Sequence, residues 1–155
     1  MSRKYRAIAA NTAQTVQVDI FELNVASTKA VRLLEIHLSQ LTEIGDAQEE
    51  MLLVQVKEGA STTGSGGATP TAIPAAKGDA AYAGTVEAHN TTKATGGTIV
   101  THLQTNWNVR VPLDIIFTPE TVIELPPSAR LTVELATTPA DSITFGGYIV
   151  FEEIG

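Results

Sequence analysis

The sequence predicts an all-β fold, a jelly-roll-like β-sandwich of about eight to ten antiparallel strands. Three observations carry this reading. Apolar residues recur with a period of two rather than 3.6. The strand-like runs are short and are broken by Gly- and Pro-bearing turns, the spacing of a sandwich or barrel. Hardly any segment has the patterning of a helix. Eight core strands make the jelly roll the natural candidate. An immunoglobulin-like sandwich comes second, because the chain lacks the Cys–Trp–Cys signature.

Taken in order, Val16, Val18 and Ile20 alternate with Gln17 and Asp19 as a half-buried strand does. Phe21 and Leu23 continue on the opposite parity, which predicts a β-bulge near Ile20–Phe21. From Ala30 to Gln40, Leu34, Ile36 and Leu38 share one face, and Glu35 and His37 share the other. Val31, Leu34 and Leu38 also have helical spacing, but the strict alternation from Leu34 onward favours a strand. Asp46 and Glu49 are spaced as a capping box for one short helical turn. Strands are then expected at Met51–Lys57, Thr98–Gln104, Val109–Phe117, Thr121–Leu125, Arg130–Ala136 and Ile143–Glu153. Pro112, Pro119, Pro126, Pro127 and Pro139 punctuate the later runs, as edges and turns require.

One stretch departs from the pattern. Residues Gly59 to Ala83 form a long Gly/Ala/Thr-rich loop in which Ile73 and Tyr82 are the large apolar exceptions. Loops of this length inside a compact domain are functional or flexible. Two readings stand equally: a mobile surface loop, or a segment ordered against a neighbouring subunit. Asn90–Gly97 has the same character. Residues 1–28 read as an N-terminal basic arm with the first strands, and 29–155 as the sandwich body of what is one domain overall.

The 155 residues suffice to bury a real core, and a hydrophobic fraction of 43% argues against wholesale disorder. Ten Lys and Arg face seventeen Asp and Glu, for a net charge of −7, which disfavours nucleic acid as a partner of the body. Arg3, Lys4 and Arg6 gather three of the ten basic residues at the N-terminus. The bland reading is a solvated terminus; the sharper one is an arm that docks on an acidic partner. No cysteine is present, which removes disulfides, thiolate metal sites and cysteine nucleophiles. No apolar run approaches the roughly 20 residues of a membrane helix, so no membrane partner is expected. The first residues lack the apolar core of a secretory signal, which suggests synthesis in the cytoplasm.

The search for chemistry yields no catalytic, cofactor or metal residue. His37, His89 and His102 fall in no metal-ligand spacing and read as ordinary rim or surface histidines. Asp46, Glu49 and Glu50 lack the ligand spacing of a calcium loop. Gly64-Ser65-Gly66-Gly67 lacks the Lys-Ser/Thr of a phosphate-binding loop. Asn90-Thr91-Thr92 matches a glycosylation acceptor, a pattern common by chance. Paired carboxylates could converge among seventeen acids, but a glycosidase cleft also wants aromatic platforms, and aromatics make up 5% of the chain. Trp107, within Asn106-Trp107-Asn108, is either a core or rim aromatic or an exposed contact for a partner or sugar.

Four stretches carry a likeness. They are Gly45-Asp46-Ala47-Gln48-Glu49-Glu50-Met51-Leu52, Thr62-Thr63-Gly64-Ser65-Gly66-Gly67, Asn90-Thr91-Thr92-Lys93-Ala94-Thr95-Gly96-Gly97-Thr98 and Pro139-Ala140-Asp141-Ser142-Ile143-Thr144. From about Val31 to the end, the chain resembles a family of small tailed-phage and prophage virion structural proteins. The resemblance implies a capsid decoration (cement) protein on the outer surface of the head. Its implied partners are the major capsid protein and further copies of itself in a homotrimer, without cofactor. Thr63, Gly64 and Ser65, with Arg3, Lys4, Arg6 and Trp107, are the candidate capsid or subunit contacts. The alternatives are a trimeric β-rich receptor-binding or tail-tip module that binds a host glycan, and, last, a small hydrolase.

Overall fold

The computed structural model describes residues 1–41 and 50–155. Among these, eleven strands run β1 (Ser2–Gln14), β2 (Val18–Asn24), β3 (Ala30–Gln40), β4 (Met51–Glu58), β5 (Ile73–Pro74), β6 (Thr85–Asn90), β7 (Val100–Asn108), β8 (Leu113–Ile116), β9 (Ile123–Leu125), β10 (Arg130–Leu135) and β11 (Ile143–Ile154). No helix interrupts them among the described residues. The capping-box turn at Asp46–Glu49 lies outside the described residues.

The first sheet is ordered β5-β1-β11-β3, with β8 and β9 both on the far edge of β3; the second is β6-β2-β10-β4-β7. Every pairing is antiparallel. Strands β5 and β6 belong to the excursion between β4 and β7, and β8 with β9 forms one edge broken at Pro119. Setting the excursion aside leaves eight core strands. Renumbered in chain order, they pair first with last, second with seventh, third with sixth and fourth with fifth. That nested pairing is a long hairpin folded over on itself, the jelly roll.

Alternating side chains from the two inner faces fill the core. Phe21 and Leu23 of β2, Val31, Leu33, Ile36 and Leu38 of β3, and Phe145, Ile149 and Phe151 of β11 are all buried. Each such side chain stabilises the fold by about 1.5–3 kcal/mol relative to exposure.

Two bulges decide which residues reach that core. In β2, Phe21 opposes Val133 and Asp19 opposes Glu134, so Ile20 is the extra residue, where the phase slip predicts it. A second bulge was not legible. In β3, Glu35 opposes Val150 and Leu33 opposes Phe151, which leaves Leu34 unpaired. Leu34 therefore does not share the face of Ile36 and Leu38; Leu33 takes the inward place.

The first strand corrects the reading of the N-terminus as an arm. β1 lies between β5 and β11, with Tyr5, Ala7 and Ala9 pointing inward and buried. Alternation is present, but alanines carry so small a hydrophobic contrast that the period is faint. β6 was missed for the same reason, with Val86 and Ala88 as its inward pair.

Candidate functional site

The outer face of the second sheet is unusual, because it is polar and yet buried. Asp19, Glu22 and Asn24 of β2 project from it beside Arg130, Thr132 and Glu134 of β10, their register neighbours. Two connections, 59–69 and 90–97, lie over these residues and pair with each other through Thr62 with Thr95 and Ser65 with Thr92. Residues 59–69 of the Gly/Ala/Thr-rich loop thus form a cap on their own chain, hydrogen-bonded to 90–97.

Buried carboxylates hold the cap from below. Glu22 accepts from Thr63 Oγ1 at 2.6 Å, from the Gly64 N–H at 2.8 Å and from Asn90 Nδ2 at 3.1 Å. Arg130 balances its charge, with Nε 2.9 Å from Glu22 Oε1. Arg130 Nη1 also donates to the carbonyl of Ala60 at 2.9 Å, which ties the cap to β10. Glycine is needed at 64 because a Cβ there would sit 2.6 Å from the Thr92 carbonyl oxygen.

The second connection is held the same way. Asp19 Oδ2 accepts from the Ala94 N–H at 2.7 Å. Glu134 accepts from Lys57 Nζ at 2.6 Å and from Lys93 Nζ at 2.7 Å. Burial pushes the Asp19 carboxyl up to about 7, the nearby Glu134 and Glu22 charges adding to it and the Ala94 N–H and Lys93 opposing. Burial acts on Glu134 in the same sense, but the hydrogen bonds and charges of Lys57 and Lys93 outweigh it and hold that carboxyl low. A 290 Å³ cleft remains at the margin of the cap, lined by Lys57, Lys93, Arg130 and Glu134 among others. Its charged groups already serve one another, so the arrangement acts chemically as a clamp on backbone.

The candidate contact residues are not brought to one surface. Thr63 and Ser65 are exposed on the cap, and Gly64 is buried beneath it. Lys4 and Arg6 are exposed on the outer face of the other sheet, where the Arg6 guanidinium lies 5.0 Å over the Tyr148 ring. Arg3 has the opposite parity and sits half-buried beside Glu153, its register partner. Trp107 is 1% exposed, packs edge-on against Phe145 and donates from Nε1 to the Val111 carbonyl at 2.8 Å. It is a core residue, so the reading of Trp107 as an exposed contact is withdrawn.

The histidines divide. His37 pairs with Asp114 and stacks on Tyr148, and His102 lies 2.8 Å from Glu58; both sit on exposed strand faces. His89 is buried instead, 4% exposed, contrary to a surface reading. Among the described residues, no group of three His, Asp or Glu is placed to hold a metal ion. Sequence reasoning missed Asp19, Glu22 and Glu134. Their signal was acids in the polar positions of strong strands, which ordinarily means solvent.

No family model matches the sequence. No curated protein matches it either. Among solved structures, that of the infectious bursal disease virus Gx strain aligns at 12% identity over 99% of this chain. This chain spans 41% of that one, and the TM-score of 0.23 gives the likeness no weight.

Proposed function

We propose that this chain is a phage capsid decoration (cement) protein, made in the host cytoplasm and bound to the outer surface of the head. In this reading it stabilises the shell through contacts with the major capsid protein and with further copies of itself in a homotrimer. Neither nucleic acid nor membrane is among its partners, and it carries out no catalysis.

The observation that carries the proposal is the cap. Its two connections contain Thr62–Gly67 and all but the last residue of Asn90–Thr98, two of the stretches that resemble phage structural proteins. They present exposed Thr63 and Ser65 on a base anchored by Glu22. A surface ordered before binding loses less conformational entropy when it docks. Repetition over a symmetric shell then multiplies modest contacts into firm attachment.

The test is the copy number of the chain in purified virions, relative to the major capsid protein, by quantitative mass spectrometry. A ratio near one, or a simple fraction of it, is the expected result. A few copies per particle would transfer the assignment to a tail or receptor-binding module, and absence from particles would overturn it.

A further inference from the structure

Several irregularities of the backbone and core meet at one place, on the side of the molecule where β1 faces β6. In β1, Ala9 opposes Gly147 and Thr12 opposes Phe145, so Ala10 and Asn11 together face Gly146 in a bulge. Across from it, His89 holds a left-handed backbone with φ of +56°, an uncommon conformation for a residue other than glycine. His89 Nε2 lies 3.0 Å from the Ala10 carbonyl, so it carries the proton and donates. Nδ1 is then a bare acceptor, buried and without a hydrogen-bond partner. Buried polar atoms in folded proteins are nearly always partnered, so an orphan of this kind asks for an explanation. Strained backbone gathers at ligand sites for the same reason: the surroundings must hold it in place.

The bulge and His89 border a cleft of 520 Å³. Strand β5 pairs only with Tyr5 and Arg6, which leaves the later half of β1 open to this cleft. Ile8, Ala13, Ala68 and Pro70 supply an apolar lining. Thr12, Thr69 and Thr91 add hydroxyl-bearing side chains, and no charged side chain lines it. Burial, only partly offset by the Ala10 hydrogen bond, lowers the His89 pKa and keeps the ring neutral near pH 7. The volume falls within the range of small-molecule sites, which are mainly apolar with a few placed polar groups.

We propose that this cleft binds a neutral, hydroxyl-bearing small molecule the size of a sugar ring, with His89 as the residue that senses it. The apolar C–H face of such a ring packs on Ile8 and Pro70, and its hydroxyls exchange hydrogen bonds with the threonines. The uncharged lining rejects acidic sugars, since a carboxylate placed there loses hydration and gains no cation. The cleft adjoins the cap, since Gly66, Gly67 and Thr91 line it, but sugar binding needs neither Thr63 nor Ser65, which are not part of the lining.

The experiment is an NMR titration of the full chain, labelled with ¹⁵N, with methyl glycosides of glucose, galactose and N-acetylglucosamine, and with glucuronate as the charged comparison. At least one neutral glycoside should give saturable shifts at Gly66, Gly67 and Thr91 and at the His89 ring nitrogens, with Kd of roughly 1–10 mM. Ala13→Trp, at an exposed position on the rim, should fill the cleft, abolish those shifts and leave the rest of the spectrum in place. Ala13→Asn, a smaller change, should retain binding and shows whether loss in the tryptophan variant comes from filling. The proposal is overturned by the absence of saturable shifts with every neutral glycoside, by shifts that persist in Ala13→Trp, or by tighter binding of glucuronate.

Discussion

Arg130 meets Glu22 at 2.9 Å in a place where the carboxylate is fully shielded from water. The pair spans neighbouring strands, and both members reach upward into the cap, Glu22 to Thr63 and Gly64, Arg130 to the carbonyl of Ala60. One ion pair therefore anchors a loop that has almost no large apolar residue of its own. The loop is ordered by satisfied polar groups where hydrophobic burial is unavailable.

Glu22→Ala should cost about 3–5 kcal/mol, since it removes the carboxylate that balances Arg130 and leaves Thr63 Oγ1 and the Gly64 N–H without their acceptor. Glu22→Gln keeps the shape and should cost less. Urea unfolding checks the magnitude. Amide hydrogen exchange checks the mechanism, with protection lost first at Gly64 and Ser65.

Asp19 makes stability depend on pH in an unusual direction. Burial holds the folded carboxyl up at about 7, above the ordinary 3.8 of an aspartate, so between those limits the folded state binds more protons than the unfolded one. Its contribution is greatest below about pH 4, declines as pH rises to about 7, and is flat beyond. Asp19→Asn keeps an acceptor for the Ala94 N–H without the charge. The variant should gain on the parent steadily from pH 4 to 7, as read by chemical denaturation across that range; a constant difference would refute the assignment.

Removing residues 1–6 should destabilise the fold, because it removes the buried Tyr5 and the β1 pairings from Ser2 to Arg6. The charge of the segment is tested instead by Lys4→Ala with Arg6→Ala, both on an exposed face. The double variant should stay within about 0.5 kcal/mol of the parent. If these charges face the shell, its occupancy on capsids should fall, and unchanged occupancy would remove them from the contact surface.

Trp107 is the one tryptophan in the chain, so fluorescence reports its surroundings without ambiguity. Emission should be blue-shifted and resist quenching by iodide in the native state. Trp107→Ala should cost about 3–5 kcal/mol through lost burial and the cavity left behind.

The alternation of large apolar residues was enough to read most of the sandwich. Val54, Val56, Leu131, Val133, Leu135, Phe145 and Ile149 carry a strong contrast on a period of two, and they occupy the core as their spacing demands. The bulge at Ile20 was legible too, because a slipped phase leaves a mark in sequence. β1 and β6 were not, since Ala7, Ala9 and Ala88 bury little area and their alternation barely differs from noise.

By itself, then, the amino-acid order determined an all-β chain with a jelly-roll count of strands, because a strand writes its inward face into its own residues. Only the tertiary structure decided that Asp19, Glu22 and Glu134 are buried anchors, that Trp107 belongs to the core and that Lys4 and Arg6 lie on the other sheet from the cap. The physical reason is range. Whether an acid meets water or a backbone N–H depends on segments such as 59–69 and 90–97, which are distant in the chain and brought over it by pairings no local pattern records.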